Sequence, residues 1–310
     1  MILDKRRALG ALALTLALGA CGHGSGNAPS TSPSNRLVVV VTTSTIGALV
    51  RSVADDVADV RILVPVGVSP ETYEPAPSDI VALSSATLVF ENGAGLESWL
   101  GKLIRTSAPH AHVVVLSEAI PGEARPAGTS SGGLTPAENP HFWLDPNYAE
   151  LYVARIAREL VSADHANAQT YRFNAHAEIN RLAQLDEWTR TRIATIPIDR
   201  RAMIAFHDAW YYFDRRYGIR DIGAIEPSPG REPSAAELAA LVETARENHV
   251  RAIFAEPEFS PRLANQLAES AGIATVTDLY DDSLGTTPEL ATYEGMMRHN
   301  VDTIVQALRS

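Results

Sequence analysis

The chain contains one cysteine, Cys21, among 310 residues, so it can close no internal disulfide and build no thiolate metal cluster. It also lacks a cluster of Lys and Arg. The formal net charge is −11, and the charged residues before Cys21 (Asp4, Lys5, Arg6 and Arg7) sum to +2, so the chain from Cys21 onward carries −13. An acidic protein without a basic patch is unsuited to holding nucleic acid or anionic lipid by charge. The apolar run at 8–20 spans only about 20 Å at helical rise, too short for a hydrocarbon core of about 30 Å. No internal repeat of 20–50 residues is present, which excludes a solenoid or propeller. What remains is ordinary globular material, 45% hydrophobic and 20% charged, long enough for two compact lobes.

The first 21 residues, MILDKRRALGALALTLALGAC, combine a basic start, an apolar middle and small residues before the cysteine. That is the layout of a secretory signal peptide over residues 1–20. The final LGAC resembles the bacterial lipobox, in which cleavage before the cysteine is coupled to its diacylglyceryl modification, so Cys21 is the expected lipidation site. Residues 22–35, GHGSGNAPSTSPSN, read as a flexible tether, giving a lipid-anchored segment over 21–35. The expectation is an extracytoplasmic protein, lipid-anchored to a bacterial membrane at the cell surface or in the periplasm.

From Arg36 the pattern changes. LVVVVTT (37–43), VRILVP (60–65), LVFENG (88–93) and HVVVL (112–116) are continuous apolar runs of the kind found in strands buried on both faces. Amphipathic helical segments lie between them, the signature of βα units on a parallel sheet. A second series begins near Arg200 with AMIAFH (202–207), DIGAIEP (221–227), RAIFAEP (251–257) and ATVTDL (274–279). Ser234 and Glu237 form a capping box, Ser260-Pro261 offers a helix start, and Gly272 stands where a C-terminal cap is wanted. Between the two series the chain is helical, with a break at 162–164 and a second stretch over about 165–194. The fold class is therefore α/β, two lobes with largely parallel sheets flanked by helices and joined by one long rigid backbone helix. The expected division is a first lobe at 36–160, a connecting helix at 161–198 and a second lobe at 199–310.

Ligands of open α/β sheets bind at the carboxyl ends of the strands. Four residues able to hold a metal sit there: Glu71 in the proline-rich turn GVSPETYEPAPSD, His141 in NPHFWLDP, His207 at the end of AMIAFH, and Asp282 in DLYDDSLG. Two come from each lobe, and two imidazoles with two carboxylates suit a borderline divalent ion. Their spacing matches no local metal motif. Each also has a plain structural reading, as a hydrogen-bonded strand-end histidine or a solvated turn acid.

The local sequences carry more. PETYEPAPSD, ENGAGLESWL, NPHFWLDP, FHDAWYYFDRRYG, the PSAAELAALVETARENHVRAIFAEPEFSPRLANQLAESAG stretch and YDDSLG together resemble the solute-binding lipoproteins of zinc and manganese ABC transporters, the cluster A-I receptors. The resemblance runs in order from about Leu37 to the C-terminus. It implies that one Zn2+ or Mn2+ is held in the cleft as transported cargo, with no catalytic cofactor, and passed to a permease driven by a cytoplasmic ATPase. By motif, His141, His207 and Asp282 match family ligands, and Asp282 is preferred to Asp281 and Asp278 because it keeps the spacing to Gly285. The chain departs from the family at Glu71, where His is usual; the intact YEPAPSD continuation favours a substituted ligand over a lost one. The loop at 121–139 contains no His, so the His-rich marker of many zinc-type members is absent, and the cargo stays open between Zn2+ and Mn2+. The resemblance implies a monomer, anchored through Cys21, that binds no nucleic acid and is not an enzyme.

Two other readings use the same strand-end residues or their neighbours. A secreted metallohydrolase would need an open metal position and a general base, for which Glu74 is the nearest acid. A cleft receptor for a siderophore or cofactor would recruit residues such as Arg231 and Trp210. His110 and His112, an H-x-H entering a strand, form either an accessory metal site or a surface loop.

Overall fold

The computed structural model describes residues 36–121, 139–227 and 229–309. The signal peptide, Cys21, the tether and nearly all of the His-free loop lie outside the described residues.

The first apolar series forms β1 (Leu37–Val41), β2 (Ala58–Ile62), β3 (Leu88–Glu91) and β4 (His112–Val115), with α1 (Ser44–Ala54), α2 (Pro77–Ser84) and α3 (Leu100–Ser107) as crossovers. All pairings are parallel and the sheet order is β2-β1-β3-β4. After α4 (Pro146–Ala163) and α5 (Ala168–Ile193), the second series forms β5 (Ala202–His207), β6 (Arg220–Glu226), β7 (Ala252–Phe254) and β8 (Ala274–Val276). Its helices are α6 (Tyr211–Tyr217), α7 (Ala235–Glu247) and α8 (Arg262–Ala271), and α9 (Tyr293–Arg309) closes the described chain. This sheet, β6-β5-β7-β8, is also all parallel and repeats the order of the first. Parallel sheets need both faces covered, and the unbroken apolar runs answer that need: Val39, Val40 and Val41 are inaccessible, and all six residues of β5 are buried. The expected strands stand, with shorter bounds. The one read over 251–257 ends at Phe254, ahead of Pro257, which has no N–H to give a ladder.

The helical middle divides where the sequence breaks. Asp164 ends α4, and its side chain accepts from Asn167 Nδ2 at 2.7 Å and Tyr171 Oη at 2.8 Å, seating a short turn before α5. The 26 residues of α5 reach about 39 Å at helical rise. Its buried residues, Tyr171, Ala175, Glu178, Leu182, Leu185, Thr189 and Ile193, recur every three or four positions and form one stripe. That stripe packs against α1, α4 and α9. Arg216 on α6 bonds both oxygens of Asp186 on α5, at 2.6 and 2.7 Å, and also reaches Asp145 at the start of α4. One continuous apolar cluster runs from Val39 and Phe90 of the first sheet, through Tyr152, Leu182 and Met297, to Met203 and Phe254 of the second. The two sheets are therefore joined through a packed core rather than through a slack hinge.

The capping expectations hold at α7, where Ser234 and Glu237 exchange bonds of 3.2 and 2.7 Å, and at Gly272, whose φ of 75° ends α8. At Ser260-Pro261 the helix opens one residue late, at Arg262, and Pro261 occupies the cap. No helix among the described residues is long and apolar enough to cross a membrane.

Candidate metal centre

Glu71 sits on the turn between β2 and α2, and the motif around it explains why that turn holds its shape. Asp79 Oδ2 accepts from Ala76 N at 2.7 Å and from Tyr73 Oη at 2.8 Å, tying the prolines of YEPAPSD to the first turn of α2. Trp99, from the ESWL motif, donates its indole N–H to Pro70 O at 2.9 Å and meets Tyr73 edge to face. The turn is braced on both sides of Glu71, and Glu71 Oε1 is left buried without a hydrogen-bond partner.

His141 is inaccessible, and Asn139 decides its tautomer. Asn139 Nδ2 donates to Asp208 O at 2.7 Å, which fixes the amide with Oδ1 toward the histidine. That oxygen accepts from His141 N at 3.1 Å and from His141 Nδ1–H at 2.9 Å. With Nδ1 carrying the proton, Nε2 keeps its lone pair and points into the cleft. Burial pushes this imidazole toward its neutral form.

His207, the last residue of β5, is oriented differently. Its Nδ1 lies 3.4 Å from Glu256 Oε1 and 3.6 Å from Asp281 Oδ2, all three side chains being buried. Burial alone would push His207 down, but the Asp281 and Glu256 carboxylates outweigh it and hold the ring well above the ordinary histidine range. His207 Nε2 lies 3.2 Å from His141 Nε2. The two Nε2 atoms thus face one another across a gap that a shared proton or a shared ion can bridge.

Asp282 completes the group from the loop after β8. The Trp143 indole donates to Asp281 O at 2.7 Å, and Leu284 N donates to Ser44 Oγ at 3.0 Å, so residues of the first lobe grip this loop of the second. Gly285 is required sterically, because a Cβ there would lie 2.5 Å from Leu290 Cβ. Asp282 Oδ2 accepts from Ser69 Oγ at 2.8 Å, while Oδ1 is buried, unpartnered and 3.4 Å from His141 Nε2. His141 Nε2 is also 3.5 Å from Glu71 Oε1. Burial pushes the Glu71 carboxyl up to about 7, with the Asp282 charge adding to the effect. Burial opposes the charge on Asp282 too, but the nearby His207 charge and the hydrogen bond from Ser69 help hold it below the usual range.

The structure therefore brings together all four residues singled out from the sequence, two from each half of the chain. Glu71, His141 and His207 lie close enough together to share one ion, and Asp282 Oδ1 stands 3.4 Å from His141 Nε2 at the edge of that group. Asp281, set aside as a ligand, turns to the opposite edge of His207. Sequence reasoning missed Glu256 and Asn139, which orient the two rings. The signal for Glu256 was its place just past the end of β7, and for Asn139 its place two residues before His141.

The competing readings lose their residues. Glu74 is exposed and points no base at the cluster. Arg231 is half exposed and paired with Glu237, and Trp210 is 2% exposed within the core. His112 is exposed and lies 3.3 Å from Glu159, and His110 is exposed as well, so neither joins a group with metal-binding geometry among the described residues.

Comparison with known proteins identifies the family. The family model described as "Zinc-uptake complex component A periplasmic" matches residues 39–307. The manganese-binding lipoprotein MntA of Halalkalibacterium halodurans is 31% identical over 296 residues, covering 95% of this chain and 96% of the relative. The iron-binding protein YfeA of Yersinia pestis is 30% identical, over 90% and 88% of the two chains. Among solved structures, the periplasmic zinc-binding protein TroA from Treponema pallidum superposes with a TM-score of 0.80 at 26% identity, covering 89% of this chain and all of the other. The chain belongs to the zinc-uptake component A family, the extracytoplasmic solute-binding proteins of metal ABC transporters, which bind an ion for transport and are not enzymes.

Proposed function

We propose that the protein captures one divalent transition-metal ion, Mn2+ or Zn2+, between Glu71, His141, His207 and Asp282, and delivers it to an ABC permease. The observation that carries the reading is the set of buried donor atoms around His141 Nε2, with His207 Nε2 at 3.2 Å, Asp282 Oδ1 at 3.4 Å and Glu71 Oε1 at 3.5 Å, the two carboxylate oxygens having no protein hydrogen-bond partner. Leaving buried acceptors unpaired costs about 1–3 kcal/mol each, more for charged groups, and a bound cation removes that penalty. Two nitrogen and two carboxylate donors suit Zn2+ and Mn2+ alike; oxygen donors favour the harder Mn2+, whereas the affinity order of divalent ions favours Zn2+. The printed names of the relatives, which specify manganese, iron and zinc, support the class of cargo.

Capture exchanges protons for metal. The ion displaces the proton shared between the two imidazoles and any proton on Glu71, so loading releases protons. The joined core and the long α5 favour a small closure of the ligand loops over wide lobe rotation. Release to a permease then follows from disturbing those loops. In this reading residues 1–20 are removed on export, Cys21 carries the lipid, 21–35 tether the domain, and 36–160 and 199–310 are the lobes.

The test is metal content and competitive affinity of purified, metal-stripped protein beside Glu71→Ala. One equivalent bound by the parent, with affinity much reduced in Glu71→Ala, supports the four-donor site. No binding of either ion by the parent rejects it. Unchanged affinity in Glu71→Ala reduces the site to three protein donors and rejects Glu71 as a ligand.

A further inference from the structure

Resting on the four-donor reading, we infer that Ser69 limits Asp282 to one coordinating oxygen, and thereby tunes the site toward a four-coordinate ion such as Zn2+ over a six-coordinate one such as Mn2+. Ser69 lies two residues before Glu71 on the turn of the first lobe and is 5% exposed. Its hydroxyl donates to Asp282 Oδ2 at 2.8 Å, across from the second lobe. The neighbouring pair repeats the crossing, since Gly67 N donates to Ser283 Oγ at 3.1 Å, so the register of Ser69 on Asp282 is fixed twice. A carboxylate oxygen occupied by a hydroxyl on that side is turned away from chelation. Asp282 is left with Oδ1, the buried and unpartnered oxygen, as its one donor to the cleft.

Freeing Oδ2 would let Asp282 chelate through both oxygens, raising the donor count to five and suiting an ion that prefers six oxygen-rich positions.

The experiment is a competitive Zn2+/Mn2+ titration of the metal-stripped protein and of its Ser69→Ala and Ser69→Thr variants, with visible absorption of each after loading with Co2+. A tetrahedral Co2+ site absorbs far more strongly than a six-coordinate one, so the spectrum reports coordination number directly. The parent should show the intense spectrum. Ser69→Ala should lose about tenfold in Zn2+ affinity, the lower end for an outer-sphere partner, while Mn2+ affinity holds or rises, with a weaker Co2+ spectrum. Ser69→Thr, which keeps the hydroxyl, should restore both. An unchanged ratio and spectrum in Ser69→Ala, a weak six-coordinate spectrum in the parent, or a threonine variant behaving like alanine would overturn the inference while leaving metal capture intact. Failure of the parent to bind any of the three ions would overturn the capture reading itself.

Discussion

The two halves of the site hold their histidines by different means. On the first-lobe side His141 is fixed by a neutral amide, Asn139, and burial keeps the ring uncharged. On the second-lobe side His207 is fixed by two carboxylates, Glu256 and Asp281, which keep it charged when no ion is bound. The same residue type is thus made a ready lone-pair donor on one side and a stored proton on the other. The difference teaches that metal affinity here depends on two equilibria, alignment of the donors and displacement of protons, and that the two can be separated by mutation.

The largest effect should come from removing the rings. His141→Ala and His207→Ala should each lower Zn2+ affinity by more than the roughly 10–100-fold expected for an outer partner, as read by competition with a chromogenic chelator. If His207→Ala lost no more than Glu256→Gln, the assignment of His207 as a direct donor would be wrong.

Next comes Glu71, the carboxylate beside His141. Its ordinary value of 4.5 is raised to about 7 in the folded, metal-free protein, so the protonated form is favoured by folding. That contribution is fully present below about pH 4.5 and is lost as pH rises toward 7 and beyond. Glu71→Gln mimics the protonated side chain at every pH. Metal-free Glu71→Gln and parent should therefore match near pH 4.5, with the parent falling behind by about 3 kcal/mol above pH 7 in chemical denaturation. A gap that stays constant with pH would contradict the burial of this carboxylate.

The outer partners separate the two equilibria most directly. Asn139→Ala should lower affinity about 10–100-fold, chiefly through misalignment, and leave the pH midpoint of binding in place. Glu256→Gln should move that midpoint downward, because His207 loses a charge that holds its proton and the ion then competes with fewer protons. Isothermal titration across pH, with proton release measured in buffers of different ionisation heat, reads both. Identical behaviour of the two variants would dissolve the contrast between the halves. The smallest effect belongs to His112, whose exposed pair with Glu159 should be worth no more than about 1 kcal/mol. His112→Ala should leave metal stoichiometry unchanged, and a lost equivalent would point to an accessory site there.

The sequence was most legible where local chemistry and tertiary need agree. β5 was readable because a strand at the centre of a parallel sheet must be apolar on both faces, and AMIAFH is. The two-helix middle was readable because Asp164 breaks one helix and seats the next. The four site residues could be nominated because strand ends and quoted motifs coincide at Glu71, His141, His207 and Asp282. Glu256 and Asn139 could not be assigned their roles, since nothing local states that the end of β7 faces the back of His207, or that Asp208 O orients an amide. The late start of α8 has a similar origin: Ser260-Pro261 is a sound start signal, but Pro261 takes the cap and Arg262 opens the helix.

The most direct test of the central claim is X-ray absorption spectroscopy of the protein loaded with one equivalent of Zn2+. The expected shell holds two imidazole nitrogens and two carboxylate oxygens at about 2.0–2.2 Å, with one imidazole lost in His141→Ala and one in His207→Ala. A shell with a single imidazole in the parent, or one unchanged by either substitution, would contradict a site built between the two halves of the chain.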